Sequence, residues 1–375
     1  LKKTAKYILL HFKPIELYPP AINLIDYFGN HTQGTFLVAT TCPKHNLKLY
    51  NSSSLNITIR RYPAIEQHSI LRLFSYASFY LGSLLLLLKY RPATVLYFES
   101  ISSWPALVYK RLRGKKVKLM AHYHEYTSPS EYAGSMRLVK HMHKMEKKMY
   151  RHYFDWISHT NEIRLADFKK DNGLTEMKKD IFFTLPNYPS TNWAGDVKRR
   201  LPNDNIKLVY IGALGYDTMY VKETLEWVRN STRLTLDLYA NIIDEKAAAF
   251  IEGFACNRIR FHGGINYMDI PNMMKHYDVG LVMYKPFNEN TINAVSNKLF
   301  EYLACGLDVW FSEEMTYTAA FIRSDVYPKV LPVNFNHLNT FDYQHAFSKE
   351  GIQYEPTAYY YEKNYYFLDN KMKNQ

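Results

Sequence analysis

The chain has 375 residues, with 47 Lys or Arg against 35 Asp or Glu and a formal net charge of +12. Its 47% hydrophobic and 22% charged residues are those of a globular chain and exclude a collagen-like, low-complexity or small disulfide-stapled protein. The length suits two domains, and the cationic surplus calls for an anionic partner: nucleic acid, an anionic membrane face or a phosphorylated substrate.

Apolar runs and helical patterns alternate along the chain. The opening segment 1–11 has too short an apolar run for a signal peptide, and 7–11 reads as a strand. Pro19-Pro20 precede a helix over 21–28 that Gly29 is expected to stop. A long helix over 68–90 follows. Within it, 70–88 has Arg72 as its only charge, a length that could just span a bilayer. Ser75, Tyr76, Ser78, Gly82 and Ser83 interrupt it, so a buried helix feeding the strand at 94–99 explains it better. A helix over 103–113, ending at Gly114, and a strand over 116–121 complete a parallel crossover unit. Residues 135–154 read as one long basic helix. Its Leu138, Met142, Met145 and Met149 form an apolar stripe among Lys140, Lys144, Lys147, Lys148 and Arg151. That pattern fits packing on a core or docking through 137–152 on an anionic membrane.

The polar stretch 186–205 reads as a linker. Beyond it, strands at 206–211, 234–239, 258–262, 279–284 and 309–312 alternate with helices at 221–230, 244–254, 267–277 and 296–305. The fold class expected is therefore α/β, with doubly wound parallel sheets. Cys42, Cys256 and Cys305 are too dispersed for a disulfide framework or a zinc site, which suits a reducing compartment.

Open α/β sheets bind ligands beyond the carboxyl ends of their strands, and three segments lie there. Gly212 and Gly215 follow the strand at 206–211 and let a backbone approach a phosphate, though an ordinary turn has the same look. His262-Gly263-Gly264 follow the next candidate strand with the same ambiguity. The third runs from Asn293 to Val309. Ser296 or Asn297 can cap a helix that Gly306 ends, and the helix N-terminus with Lys298 suits a diphosphate. Glu301, one turn on, can accept hydrogen bonds from two vicinal ribose hydroxyls; a plain amphipathic helix is the alternative.

The segment Asn297-Lys298-Leu299-Phe300-Glu301-Tyr302-Leu303-Ala304-Cys305-Gly306 resembles the nucleotide-sugar motif of GT-B glycosyltransferases of family 4. Other segments agree in order: Arg91-Pro92-Ala93-Thr94-Val95, His122-Tyr123-His124-Glu125, Leu185-Pro186-Asn187, 210–215, Phe261-His262-Gly263 and Asp278-Val279-Gly280-Leu281. The resemblance covers about 90–320. It implies two Rossmann-like domains facing a cleft, a nucleoside-diphosphate sugar donor such as a UDP- or GDP-sugar, retention at the anomeric carbon, and no metal or other cofactor. On this pattern Glu301 and Asn297 would hold the nucleoside. Lys298, Gly212 and Gly215 would hold the diphosphate, with His262 and Gly263 lining the donor site. Asn293 would approach the sugar, and His124 or Glu125 would face the sugar or the acceptor.

There are departures. The first glutamate of the family's pair is replaced by Asn293, and the Arg expected after the opening glycine by Ala213, which leaves diphosphate neutralisation to Lys298 and Lys285. The glycine-rich N-terminal loop is replaced by 13–20. The domains expected are 1–190 on the acceptor side and 203–335 on the donor side, with 336–375 packing back toward the first. The partners expected are the donor and a glycan or polyprenyl-linked acceptor in cell-surface polysaccharide synthesis, with no nucleic acid. The location expected is cytoplasmic, peripheral at the inner membrane face where the basic helix docks. A non-catalytic GT-B-like subunit is the alternative that Asn293 and Ala213 suggest.

Overall fold

The computed structural model describes residues 5–32, 34–43, 48–64, 69–177, 180–194, 205–348 and 350–373. The chain forms two compact units, Leu1–Asn187 with Glu362–Gln375, and Tyr188–Tyr361.

The first unit holds a seven-stranded sheet of β1 (Ala5–His11), β2 (Thr35–Thr41), β3 (Ile57–Tyr62), β4 (Thr94–Phe98), β5 (Lys118–Tyr123), β6 (Trp156–His159) and β7 (Phe182–Thr184). Its order is β3-β2-β1-β4-β5-β6-β7, and every pairing is parallel. Helices α1 (Pro19–His31), α2 (Ser69–Tyr90), α3 (Ser103–Arg113), α4 (Pro129–Gly134), α5 (Arg137–Lys147), α6 (Tyr150–Tyr153) and α7 (Glu162–Asp171) lie between the strands in sequence. The order reverses between β1 and β4, the doubly wound arrangement whose switch point opens a crevice at the carboxyl ends of the two strands.

Three expectations for this unit change. Helix α1 runs past Gly29 to His31, and the glycine serves close packing instead of a stop: a Cβ there would lie 2.9 Å from the Ser54 Cβ. The basic helix breaks between α5 and α6. Its Met142 and Met149 are buried and its Leu138 and Met145 pack against the core, so the apolar stripe of 137–152 is not open to a membrane. Helix α2 is not buried all round: Tyr76, Phe79, Tyr80 and Leu87 enter the core, but Leu73, Phe74, Leu81, Leu85 and Leu88 are exposed.

The second unit runs β8 (Ile206–Ile211), α8 (Val221–Asn230), β9 (Leu234–Tyr239), α9 (Glu245–Phe254), β10 (Ile259–Phe261), α10 (Ile270–Met274), β11 (Val279–Val282), α11 (Glu289–Ile292), α12 (Asn297–Ala304), β12 (Asp308–Ser312), β13 (Val326–Tyr327) and β14 (Val330–Val333). Its six-stranded parallel sheet is ordered β10-β9-β8-β11-β12-β14, with the reversal between β8 and β11. Of the expected linker, Trp193 is buried against Tyr267 in this unit, and 195–204 lie outside the described residues.

The segment 336–375 is divided. Leu338 and Phe347, from α13 (Tyr343–Phe347) and the turn before it, belong to the core of the second unit, and β15 (Gln353–Tyr354) pairs with β13. Only α14 (Glu362–Lys373) joins the first unit. There Tyr365, Leu368 and Met372 are buried, and Tyr365 meets Tyr27 at 5.7 Å between ring centres.

Candidate functional site

At the switch point of the second unit, β8 ends in Ile211-Gly212 and β11 is followed by Met283-Tyr284. Helix α12 starts beside them. Its side chains Leu299, Phe300 and Leu303 are buried, which fixes the helix against the sheet. Gly280 in β11 lies where a Cβ would enter the Tyr302 ring. That approach lets the Tyr302 hydroxyl accept the Ile211 N–H at 3.2 Å and ties the helix to the end of β8.

Lys298 lies in the first turn of α12. Its ammonium donates to the Tyr284 hydroxyl at 2.7 Å and stands 5.3 Å and 5.7 Å from the ring centres of Tyr284 and Tyr210. Gly212 has φ +148°, and a Cβ there would lie 2.7 Å from Nζ of Lys298. Glycine at 212 thus leaves the path the lysine occupies. Burial by itself would raise the Tyr284 phenol, but the Lys298 charge and hydrogen bonds from Lys298, Ser296 and Tyr210 bring it below its ordinary value. The result is a fixed cation at a helix N-terminus, where backbone N–H groups already favour an anion.

Glu301 is buried and accepts from Nδ2 of Asn297 at 3.0 Å. Burial raises its carboxyl above the usual range, with Lys298, Asn297 and Tyr267 opposing. Gly212, Asn297, Lys298 and Glu301 are therefore drawn together as the sequence suggested. Lys285 is turned to another task, pairing with Glu223 at 3.1 Å. Asn293 caps the end of α11, four residues before α12 begins.

His262, Gly263 and Gly215 belong to neighbouring turns. His262 stacks on Tyr239 at 4.7 Å and sits 3.3 Å from Asp237, which also holds Arg260 and Tyr277. Gly215 lies where a Cβ would meet Thr218, beside the Asp244 carboxylate that takes the Tyr216 N–H at 2.8 Å.

The switch point of the first unit is built differently. His11 ends β1, Glu99 follows β4, His124 and Glu125 follow β5, and His159 ends β6. His124 is buried, stacked on Phe98 at 4.8 Å and on Tyr18 at 5.3 Å. Neither of its ring nitrogens meets a partner among the described residues. Burial, then His122, His11, Lys13 and Arg164, hold it well below the usual histidine range. Burial likewise lowers His11 to about 4 and His122 to about 3. Glu125 is exposed.

Sequence reasoning passed over Glu99. Its backbone stands at φ 62°, ψ 149°, a region nearly restricted to glycine. The Glu99 carboxyl accepts the backbone N–H of His124 at 2.7 Å and so anchors the chain that carries that histidine. Burial, then the nearby Glu125 carboxylate, push Glu99 up to about 8. Its place directly after a strand at the switch point was the one available signal. Tyr210 and Tyr284 were legible in the same way, each at or just past a strand end. Among the described residues no three His, Cys, Asp or Glu side chains are grouped to hold a metal ion.

No protein-family model matches the chain, and no curated protein matches it by sequence. Solved structures do. Sucrose-phosphate synthase from Thermosynechococcus elongatus superposes with a TM-score of 0.67 at 13% identity, covering 97% of this chain and 98% of that one. HepE from Anabaena, solved with UDP and glucose, gives 0.59 at 12% identity over 92% and 93%. The UDP-GlcNAc 2-epimerase from Methanocaldococcus jannaschii gives 0.55 at 10% identity over 97% and 98%. The two parallel-sheet units have the GT-B fold.

Proposed function

We propose that the chain is a glycosyltransferase that moves a sugar from a nucleoside-diphosphate sugar, a UDP- or GDP-sugar, to a hydroxyl of a glycan or polyprenyl-linked acceptor. Lys298, held between Tyr210 and Tyr284 at the start of α12 with Gly212 making room for it, is the observation that carries this reading. A fixed cation and a helix N-terminus meet the charge that grows on a departing diphosphate. Asn297 and Glu301 suit the ribose hydroxyls, and we assign Asn293 to the sugar. Gly215, His262 and Gly263 line the surrounding turns.

In the proposed reaction the bond from the anomeric carbon to the phosphate oxygen breaks, and its electron pair leaves with the diphosphate. The acceptor oxygen bonds to that carbon on the same face, and its proton passes to the leaving phosphate, giving retention. We assign the exposed Glu125 to bind a sugar or acceptor hydroxyl, and His124, neutral, buried and with neither ring nitrogen partnered among the described residues, to meet one only when substrate binding uncovers it. The chemistry uses no cofactor beyond the donor, and we place it in cell-surface polysaccharide synthesis on the cytoplasmic side of a membrane.

The epimerase that shares the fold supports a second reading, inversion at a sugar carbon of the nucleotide sugar. One experiment separates the readings. The chain is incubated with UDP- and GDP-sugars, with and without glycan and polyprenyl-phosphate acceptors. Nucleoside diphosphate released together with a glycosylated acceptor supports transfer. An epimeric nucleotide sugar supports the second reading, and donor binding without turnover supports a non-catalytic subunit.

A further inference from the structure

Helix α2 has two faces of opposite fate. On one, Tyr80 donates its hydroxyl to the Ile101 carbonyl at 2.8 Å, Tyr76 stacks on Phe12 at 4.7 Å, and Phe79 and Leu87 are fully buried. On the other, Phe74, Leu81, Leu85 and Leu88 are 58%, 57%, 66% and 42% exposed. With the exposed Ala77 they follow one another at intervals of three and four residues, so they form one stripe about four turns long. Single apolar side chains at a surface are ordinary, but a continuous row of them marks an interaction site.

Charge selects what covers this row. Helix α2 packs against α3, and α3 against α5. These three helices contain nine Lys or Arg, of which Lys110 is buried and paired with Asp155, and a single carboxylate, Glu146, which is buried. Lys89, at the end of the stripe, and Arg111 on α3 are exposed. A two-fold contact between two copies would set this cationic layer against itself, because such a contact pairs each patch with its own image. An anionic bilayer surface accepts both the apolar row and the cations.

We propose that the exposed face of α2 docks the protein on an anionic membrane surface, with the helix lying in the plane of the interface. The segment Arg72–Tyr90 is long and apolar enough to cross a bilayer. Crossing, however, would pull Tyr76, Phe79, Tyr80 and Leu87 out of the core, whereas lying flat uses only the face that the fold leaves uncovered. The proposal stands independently of the transfer reaction. It moves the membrane contact from the basic helix, whose apolar stripe is enclosed, to α2.

The test is flotation of the full chain with vesicles of equal parts phosphatidylcholine and phosphatidylglycerol, and with vesicles of phosphatidylcholine alone. The protein is expected to float with the mixed vesicles at low salt, and less with the neutral ones or at high salt. Replacing Leu81→Gln and Leu85→Gln together should lower the partition about tenfold or more while the circular dichroism and melting temperature stay unchanged. No flotation at low salt overturns the proposal, as does a double variant that floats like the parent. Light scattering without lipid completes the test. A dimer that the double variant converts to monomer would assign the face to a second copy and also overturn the proposal.

Discussion

The two sheets share one strand order over six strands, the first adding β7, and place polar residues at the same topological point, yet the two points differ in electrical character. At the end of β8 and β11 a lysine is held by two phenol rings beside a helix N-terminus. At the ends of β1, β4 and β5 stand neutral, buried histidines and a glutamate whose backbone is strained. The first arrangement keeps a permanent charge where an anion can meet it. The second avoids charge, because burial makes each ionised form costly. Fixed charge of the first kind favours an anion, while uncharged groups of the second kind favour neutral hydrogen-bonding partners.

The largest test of this contrast is Lys298→Ala. It should weaken nucleotide-sugar affinity about a hundredfold in calorimetry, as loss of a charge-assisted contact does. Affinity equal to that of the parent would erase the distinction between the two switch points. Gly212→Ala should approach the same loss, since its methyl group displaces the lysine from Tyr284. Glu301→Ala should cost about tenfold in donor affinity, and less for a nucleotide lacking the ribose hydroxyls. Asn293→Ala should lower kcat more than it changes KM, by a few fold, if the amide touches the sugar during transfer.

The smallest expected effect is a slope. Glu99 takes up its proton near pH 8 when folded and near 4.5 when unfolded, so the folded state holds the extra proton in that window and stability falls as pH rises through it. His11 and His122 behave oppositely. Their folded values of about 4 and about 3 lie below 6.5, so stability is lost as pH falls below 6.5. Glu99→Gln should remove the decline in melting temperature between about pH 4.5 and 8 and leave the histidine-linked loss at lower pH in place. An unchanged slope between pH 4.5 and 8 would show that Glu99 keeps an ordinary carboxyl value in the folded state.

Much of this was legible in the sequence. The strands β8, β9, β11 and β12 are apolar runs, and the motif from Asn297 to Gly306 supplied the helix, its cap region and its lysine. The edge strand β3 was harder to see, because Thr58 and Arg60 face solvent and break the apolar pattern. Strand β7 has only three residues. Asn297, Lys298 and Glu301 were found because they are close in sequence. Glu99 and His124 are 25 residues apart, and their contact depends on two strands pairing in register. The phenol rings around Lys298 come from Tyr210 and Tyr284, distant in sequence for the same reason. The backbone strain at Glu99 leaves no trace in composition or periodicity.

The last helix has a consequence for how such a protein is divided. Tyr365, Leu368 and Met372 complete a core whose other residues end at Asn187. A gene fragment stopping at residue 187 therefore lacks part of its own interior and would leave Tyr27, Trp156 and Phe183 without the rings of α14. The first unit is not a segment of the gene but two pieces of it. Exchanging that unit between chains of this fold needs two crossovers, and expressing it alone needs a new peptide joining position 187 to 362.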